Sequence, residues 1–192
     1  PYNEELKIQT LLNNQGEINW RTGNINFLEN AFIFSKHPLK LKSISFNGTL
    51  VNSDSLIATV ISGGNLINKG YLEFKGKTSD IEIDSLTPLA TNTVVFSYKG
   101  NVIPPVISNN KFGKLVLSCD RFILTKRYTG TDTLVVYKTT QLSLKTAHDF
   151  PFFKQYKFSS NSKLLVEANT ELPMNMQLGN IELYPNTKLS LI

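Results

Sequence analysis

The chain has one cysteine, one tryptophan, two histidines and three arginines in 192 residues, and each scarcity closes off a class of function. A single cysteine, Cys119, allows no disulfide within the chain. A closed zinc site takes about four nitrogen or sulfur ligands, and His37, His148 and Cys119 are too few and too scattered to supply them. Metal catalysis on such ligands is not expected, and neither a metal nor any other cofactor is. Cys119 lies in LVLSCDRF among strand residues, where it reads as a small buried hydrophobe rather than a nucleophile. The net charge of +5 comes from 17 lysines and only 3 arginines, without a clustered basic run. Arginine is the forked reader of phosphate and guanine, so direct reading of nucleic acid is not expected. A basic arm that would bind a genome electrostatically is missing as well.

Long hydrophobic runs are also missing. No apolar stretch approaches the roughly 18 residues that cross a bilayer, so no membrane segment is expected. The opening Pro1-Tyr2-Asn3-Glu4-Glu5 shows neither the basic nor the apolar region of a secretory signal. Convincing amphipathic helical periods, an internal repeat and a Gly-x-Ser-x-Gly elbow are not seen either.

What the chain does have is a hydrophobic share of 41%, enough for a packed interior, in short β-branched and aromatic runs. The organising stretch is 114–145: LVLS, then RFILTKRY, then Thr129-Gly130-Thr131-Asp132, then TLVVYK and QLSL. Phe122, Leu124 and Tyr128 fall on one side of RFILTKRY and Arg121, Thr125 and Arg127 on the other, as in a sheet with one packed and one wet face. The four-residue connection predicts an antiparallel hairpin. Asn47-Gly48 and Gly63-Gly64-Asn65 read as further turns, and Pro185-Asn186 as the turn of a C-terminal hairpin. AFIF at 31–34 reads as a continuous buried strand, while 13–30 reads as a long Asn/Gly-rich loop region. About ten strand candidates at 8–12-residue spacing predict one all-β domain over 1–192. The expected architecture is a single antiparallel β-sandwich of jelly-roll type.

Several motifs invite sharper readings. The string from Gly70 to Thr78 resembles a phosphate-binding loop, but its glycines are separated by five residues where the motif has four, and its spacer YLEF is strand-like. A β-turn is the better reading. Asp80, Glu82 and Asp84 share a strand side and could ligate calcium or supply an acid/base pair, but the solvated face of a half-buried strand is the better reading. Lys36, Lys40 and Lys42 form a basic patch that discourages edge pairing or meets an acidic partner. The one glycosylation sequon, Asn47-Gly48-Thr49, already has a turn to make. Phe150, Phe152, Phe153 and Tyr156 crowd a short strip with Lys154 and Lys157. Adjacent Phe152 and Phe153 must point apart in an extended segment, so part of the strip is expected to be exposed: a subunit interface is the favoured reading, with plain core and stacking on a ligand as the alternatives.

With no catalytic constellation in view, the expected protein is non-enzymatic and structural: a capsid, decoration, fibre or head-tail component of a virion. It would assemble in the host cytoplasm as a homo-oligomer through contacts with other structural subunits. The alternative is a carbohydrate-binding or adhesive sandwich that meets surface glycans through sugar stacking on Trp20, Tyr71 and Tyr98.

Overall fold

The computed structural model describes residues 5–15, 19–108, 111–124, 126–137, 140–145, 150–172, 180–183 and 185–191. Its strands alternate inward and outward side chains, as their sequences demand, but they pair with counterparts one turn earlier or one turn later. Every hydrogen-bonded strand pair among the described residues is parallel. The chain is a parallel β-solenoid of about eight turns.

Each turn contributes to as many as three columns of strands. The first column stacks the starts of Leu39–Asn52 and Ser55–Asn68 on Tyr71–Phe74, Thr93–Phe96, Lys114–Leu117, Thr133–Val136 and Gln155–Phe158. The second begins at Glu5–Ile8 and passes through 24–27, 43–46, 60–63 and 81–83. It resumes at Asn101–Val102 and continues through Arg121–Leu124, Gln141–Leu144 and Lys163–Val166 to Asn180–Leu183. Between these halves Val102 follows Ile81 by 21 residues, the step that also separates the bridged pair Leu86 and Ile107. Ile103 N–H spans the gap to Thr78 Oγ1 at 2.9 Å. The third column holds Leu11–Asn14, Ala31–Ser35 and the ends of Leu39–Asn52, Ser55–Asn68 and Ile81–Pro88.

A single turn cannot bury its own apolar side, so stability comes from stacking like residues turn upon turn. Leu6, Ile25, Ile44, Ile61 and Ile81 form one such inward row, and Phe122, Leu142, Leu164 and Ile181 form the continuation. Aromatic rings add a spine: Phe74 stacks on Phe96 at 5.0 Å, and Phe96 meets Phe122 at 5.1 Å. At the corner leading into the first column, Asn52, Asn68 and Asn92 are buried and bond to one another or to neighbouring backbone.

The antiparallel sandwich and jelly roll are therefore overturned. Thr129–Gly130 pairs with Lys111–Phe112, while Thr133–Val136 pairs with Lys114–Leu117 and Gln155–Phe158, so the expected hairpin is a corner. Asn47-Gly48 turns within the single strand Leu39–Asn52. There Gly48 takes φ 80°, and a Cβ on Gly64 of the next turn would lie 2.2 Å from Gly48 O, so the corner stacks glycine on glycine. The strands on either side of Pro185-Asn186 pair with Lys163–Val166 and Thr170–Leu172 instead of with each other. Asn19–Phe27, inside the expected loop region, is a strand. The physical reason is shared: alternation and turn residues look alike in both architectures, because a solenoid corner and a hairpin ask for the same backbone freedom.

Candidate interaction surface

The aromatic strip packs mainly inward. Phe150 is fully buried and tilts against Tyr156 at 5.6 Å. Phe153 is buried over Gly130, where an added Cβ would fall 1.9 Å from its ring. Tyr156 is half-buried; its hydroxyl accepts from Phe153 N–H at 2.9 Å and donates to Pro151 O at 3.2 Å. Burial raises that phenol above its ordinary range, against the lowering pull of the Phe153 N–H. Phe152 alone turns outward, half-exposed beneath the Arg127 guanidinium at 4.7 Å. As a subunit surface, the strip offers Phe152 and the edge of Tyr156.

The three sugar-stacking candidates do not form one platform among the described side chains. Trp20 sits opposite Leu41 in its strand, and its side chain lies outside the described residues. Tyr71 packs on the outward cluster of Val95, Val116 and Val135, whereas Tyr98 packs against the main core. The Tyr71 hydroxyl donates to Glu73 Oε2 at 2.9 Å, and burial together with that carboxylate raises its pKa.

The remaining motifs resolve into structural roles. Asp80 turns back to accept from Lys77 N–H at 3.0 Å, and Glu82 and Asp84 are exposed. Among the described residues no group of three His, Cys, Asp or Glu side chains could hold a metal ion. Gly70 and Gly76 of the phosphate-loop lookalike sit where a Cβ would fall 1.8 Å from Asp54 O and 2.0 Å from Thr59 O. Close stacking of turns, and not phosphate, explains them. Cys119 is buried, and burial pushes its thiol up to about 12. Of the lysine patch, Lys36 and Lys42 are exposed and Lys40 is half-buried; His37 is exposed, and His148 lies outside the described residues. A surface recess of about 490 Å³ opens broadly to solvent at the corner of Thr10, Leu28, Glu29, Asn30, Asn47 and Gly48.

A polar cluster that the sequence did not announce crosses three turns of the second column. Arg121 Nη2 donates to Ser143 Oγ at 3.0 Å and to Glu167 Oε1 at 2.5 Å, and the Ser143 hydroxyl donates to the same carboxylate oxygen. Lys145 Nζ stands 3.8 Å from Glu167 Oε2. Partial burial pulls the Glu167 pKa up, but the bonds from Ser143 and Arg121 and the two positive charges outweigh it and hold the carboxyl below its ordinary range. Ser143 is fully buried and its proton is committed, so the cluster acts as a cross-link between turns.

The surface that stands apart lies on the third column. Ala31 and Ile33 point inward, while Phe32 and Phe34 point outward at 45% and 43% exposure, their rings 6.5 Å apart and nearly parallel. AFIF is thus only half buried. The register places Leu11 (53% exposed), Phe32, Val51, Ile67 and Thr87 in one outward row, with Asn13 beside Phe34 in the next. None of these seven carries a charge, whereas the outward rows of the other columns hold Lys75, Lys114 and Lys157, or Arg121, Lys163 and Glu182. Strict alternation applied to AFIFS would have found it.

Comparisons with protein-family models, with curated proteins and with solved structures return no match.

Proposed function

We propose that the protein is a non-enzymatic structural component: a rigid shaft that acts by laying the uncharged face of Leu11, Phe32 and Phe34 against another structural subunit. Three exposed apolar side chains, Leu11, Phe32 and Phe34, side by side on one parallel sheet carry this reading. Apolar and aromatic side chains with charge excluded are the composition of an interface centre. A face this apolar is also a solubility liability unless something covers it. The solenoid suits a shaft, because inward stacking and backbone hydrogen bonds link every turn to the next. A fibre or spike of a virion is the setting proposed for it.

Light scattering over a concentration series tests the reading. The chain is expected to form discrete multiples of its own mass, and Phe32→Thr/Phe34→Thr, which keeps strand-forming residues, should abolish lateral association while leaving the unfolding transition in place. Assembly unchanged in that variant would sink the reading, as would a wild-type chain that stays single at every concentration.

A further inference from the structure

The first column spaces its outward charges regularly. Of its stacked strands, the one that starts at Leu39 presents Lys40 and Lys42, the third is followed directly by Lys75, the fifth begins with Lys114 and the seventh carries Lys157. The strands between them, Ser55–Asn68, 93–97 and 133–137, contain no charged residue at all. Lysine therefore recurs on every second strand, at a step of roughly 10 Å, twice the spacing of the ladder. Lys40 and Lys157 lie on the central outward row, with Lys114 to one side of it and Lys75 to the other. That offset of about 7 Å is within reach of a flexible four-carbon stem.

The face is also unbalanced in charge. Its one outward carboxylate, Glu73, is already met by the Tyr71 hydroxyl, by Ser97 Oγ at 2.6 Å and by Lys75 Nζ at 3.6 Å. Lys40, Lys114 and Lys157 make no ion pair among the described residues. Two recesses repeat the spacing. One of about 330 Å³ has Lys40 and Lys75 at its sides, with Ile57 and Thr59 of the intervening strand between them. The other, about 250 Å³, sets Lys114 and Lys157 on either side of Val135 and Tyr137. Val135 continues the outward apolar cluster of Val95 and Val116, and Tyr137 is 48% exposed beside it. Each recess is an uncharged floor one strand wide between two cations.

The step selects the partner. An extended peptide repeats one face about every 7 Å, and the three-residue step that comes near 10 Å turns the side chain to the opposite side. A duplex nucleic acid presents a phosphate about every 3.4 Å along each strand, far denser than these lysines. An extended chain of β-linked sugars advances by a closely similar distance over two rings, and its rings have apolar faces for an apolar floor or a tyrosine. We infer that the outer face of the first column binds a linear acidic polysaccharide, laid along the solenoid axis, with a carboxylate on every second sugar. Lys40, Lys114 and Lys157 meet the carboxylates, and the neutral rings between them lie over Ile57, Val95 and Val135 and against Tyr137. This face is separate from that of Leu11, Phe32 and Phe34, so the inference does not rest on the shaft reading.

Calorimetric titration of the full chain with oligosaccharides of hyaluronan and of unsulfated chondroitin tests it, since in both a uronate alternates with a neutral sugar. Binding is expected at low salt and should weaken as salt is raised. Neutral cello-oligosaccharides and poly-glutamate should bind much less. Lys114→Gln/Lys157→Gln should lower the affinity by about tenfold, and Tyr137→Thr should lower it as well. Lys7→Gln/Lys163→Gln, which removes the same charge from the second column, should leave it unchanged, as should Phe32→Thr/Phe34→Thr. All of these changes lie on exposed or half-exposed side chains, and a thermal melt of each variant confirms that it is folded. Failure to bind either uronate chain would overturn the inference. So would poly-glutamate binding as tightly, or an equal loss in the two lysine pairs, because charge alone and not its spacing would then account for the binding.

Discussion

Nδ2 of Asn52 donates to Oδ1 of Asn68, 2.8 Å away and one turn further along, inside a corner where both residues are fully buried. The two amides are not equally satisfied. Asn68 Nδ2 donates to Gly70 O at 2.9 Å, and its Oδ1 also receives Gly70 N–H at 3.4 Å. Asn52 Oδ1 has no partner among the described residues. Removing the well-bonded amide strands its neighbours, whereas removing the other relieves a penalty already present. Asn68→Leu is therefore expected to cost about 3 kcal/mol, and Asn52→Leu distinctly less. Urea melts of both variants check the order, and a reversed order would refute the account of the corner.

Gly70 gives a test of how closely the turns approach. Its φ is not in the left-handed region, so alanine there would ordinarily stabilise by about 0.4–1 kcal/mol through the unfolded chain. In this fold the new methyl would fall 1.8 Å from Asp54 O, whose carbonyl already accepts Tyr71 N–H at 2.6 Å. The obstacle is backbone, which cannot swing aside. Gly70→Ala is expected to destabilise by about 2 kcal/mol, with a thermal melt showing the fall; a rise in melting temperature would mean that the stacked corner is looser than described.

How far the fold could be read from the chain follows from these corners. The inward residues were legible: Phe122, Leu124 and Tyr128, assigned to one face by alternation, are all buried. Partners were not, because a period of two says which side chains point inward and nothing about which strand lies alongside. The repeat was hidden by its drift. Ser55 faces Tyr71, 16 residues on, and Tyr71 faces Thr93, 22 residues on. Insertions at corners absorb the difference without disturbing the ladder. A signal was nonetheless present in TVVFS, KLVLS and TLVVY, which begin at 93, 114 and 133 and stack directly. The outward Phe32 and Phe34 are hard to read from the sequence because a continuous apolar run is also the pattern of a strand buried on both sides, the habit of parallel strands covered by helices. Here the described residues hold no α-helix to cover the outer face of the sheet.

The Glu167 cluster makes stability depend on pH in a defined direction. The native carboxyl titrates below its unfolded value of about 4.3. Its contribution is complete above the unfolded pKa and is lost as pH falls through the folded one. The loss should be confined to the acid side, with no change between neutral and mildly alkaline pH from this group. Glu167→Gln should lower the melting temperature at pH 7 and converge on wild type only as pH falls through the depressed folded pKa, below which both carry a neutral side chain. A gap between the two that persists undiminished into acid would show that packing, and not the charge held by Arg121 and Lys145, is what the residue supplies.

Phe152 and Phe153 are neighbours in sequence and opposites in the fold, and the contrast can be measured. Phe153 is buried against Gly130, so truncation opens a cavity that the adjoining turn cannot close without moving backbone. Phe153→Ala is expected to cost about 3–4 kcal/mol, the usual loss for a buried phenylalanine. Phe152 is half-exposed, and the guanidinium of Arg127 lies over its ring. Phe152→Ala should cost about 1 kcal/mol, the value of a partly hydrated cation–π pair with some lost packing. Denaturant midpoints decide between them, and the Phe152→Ala chain, still folded, can be weighed by light scattering. If its association is unchanged while Phe32→Thr/Phe34→Thr abolishes lateral contact, the working interface lies on the third column. If Phe152→Ala removes association instead, the aromatic strip is the interface, and the uncharged face of Leu11, Phe32 and Phe34 needs another explanation.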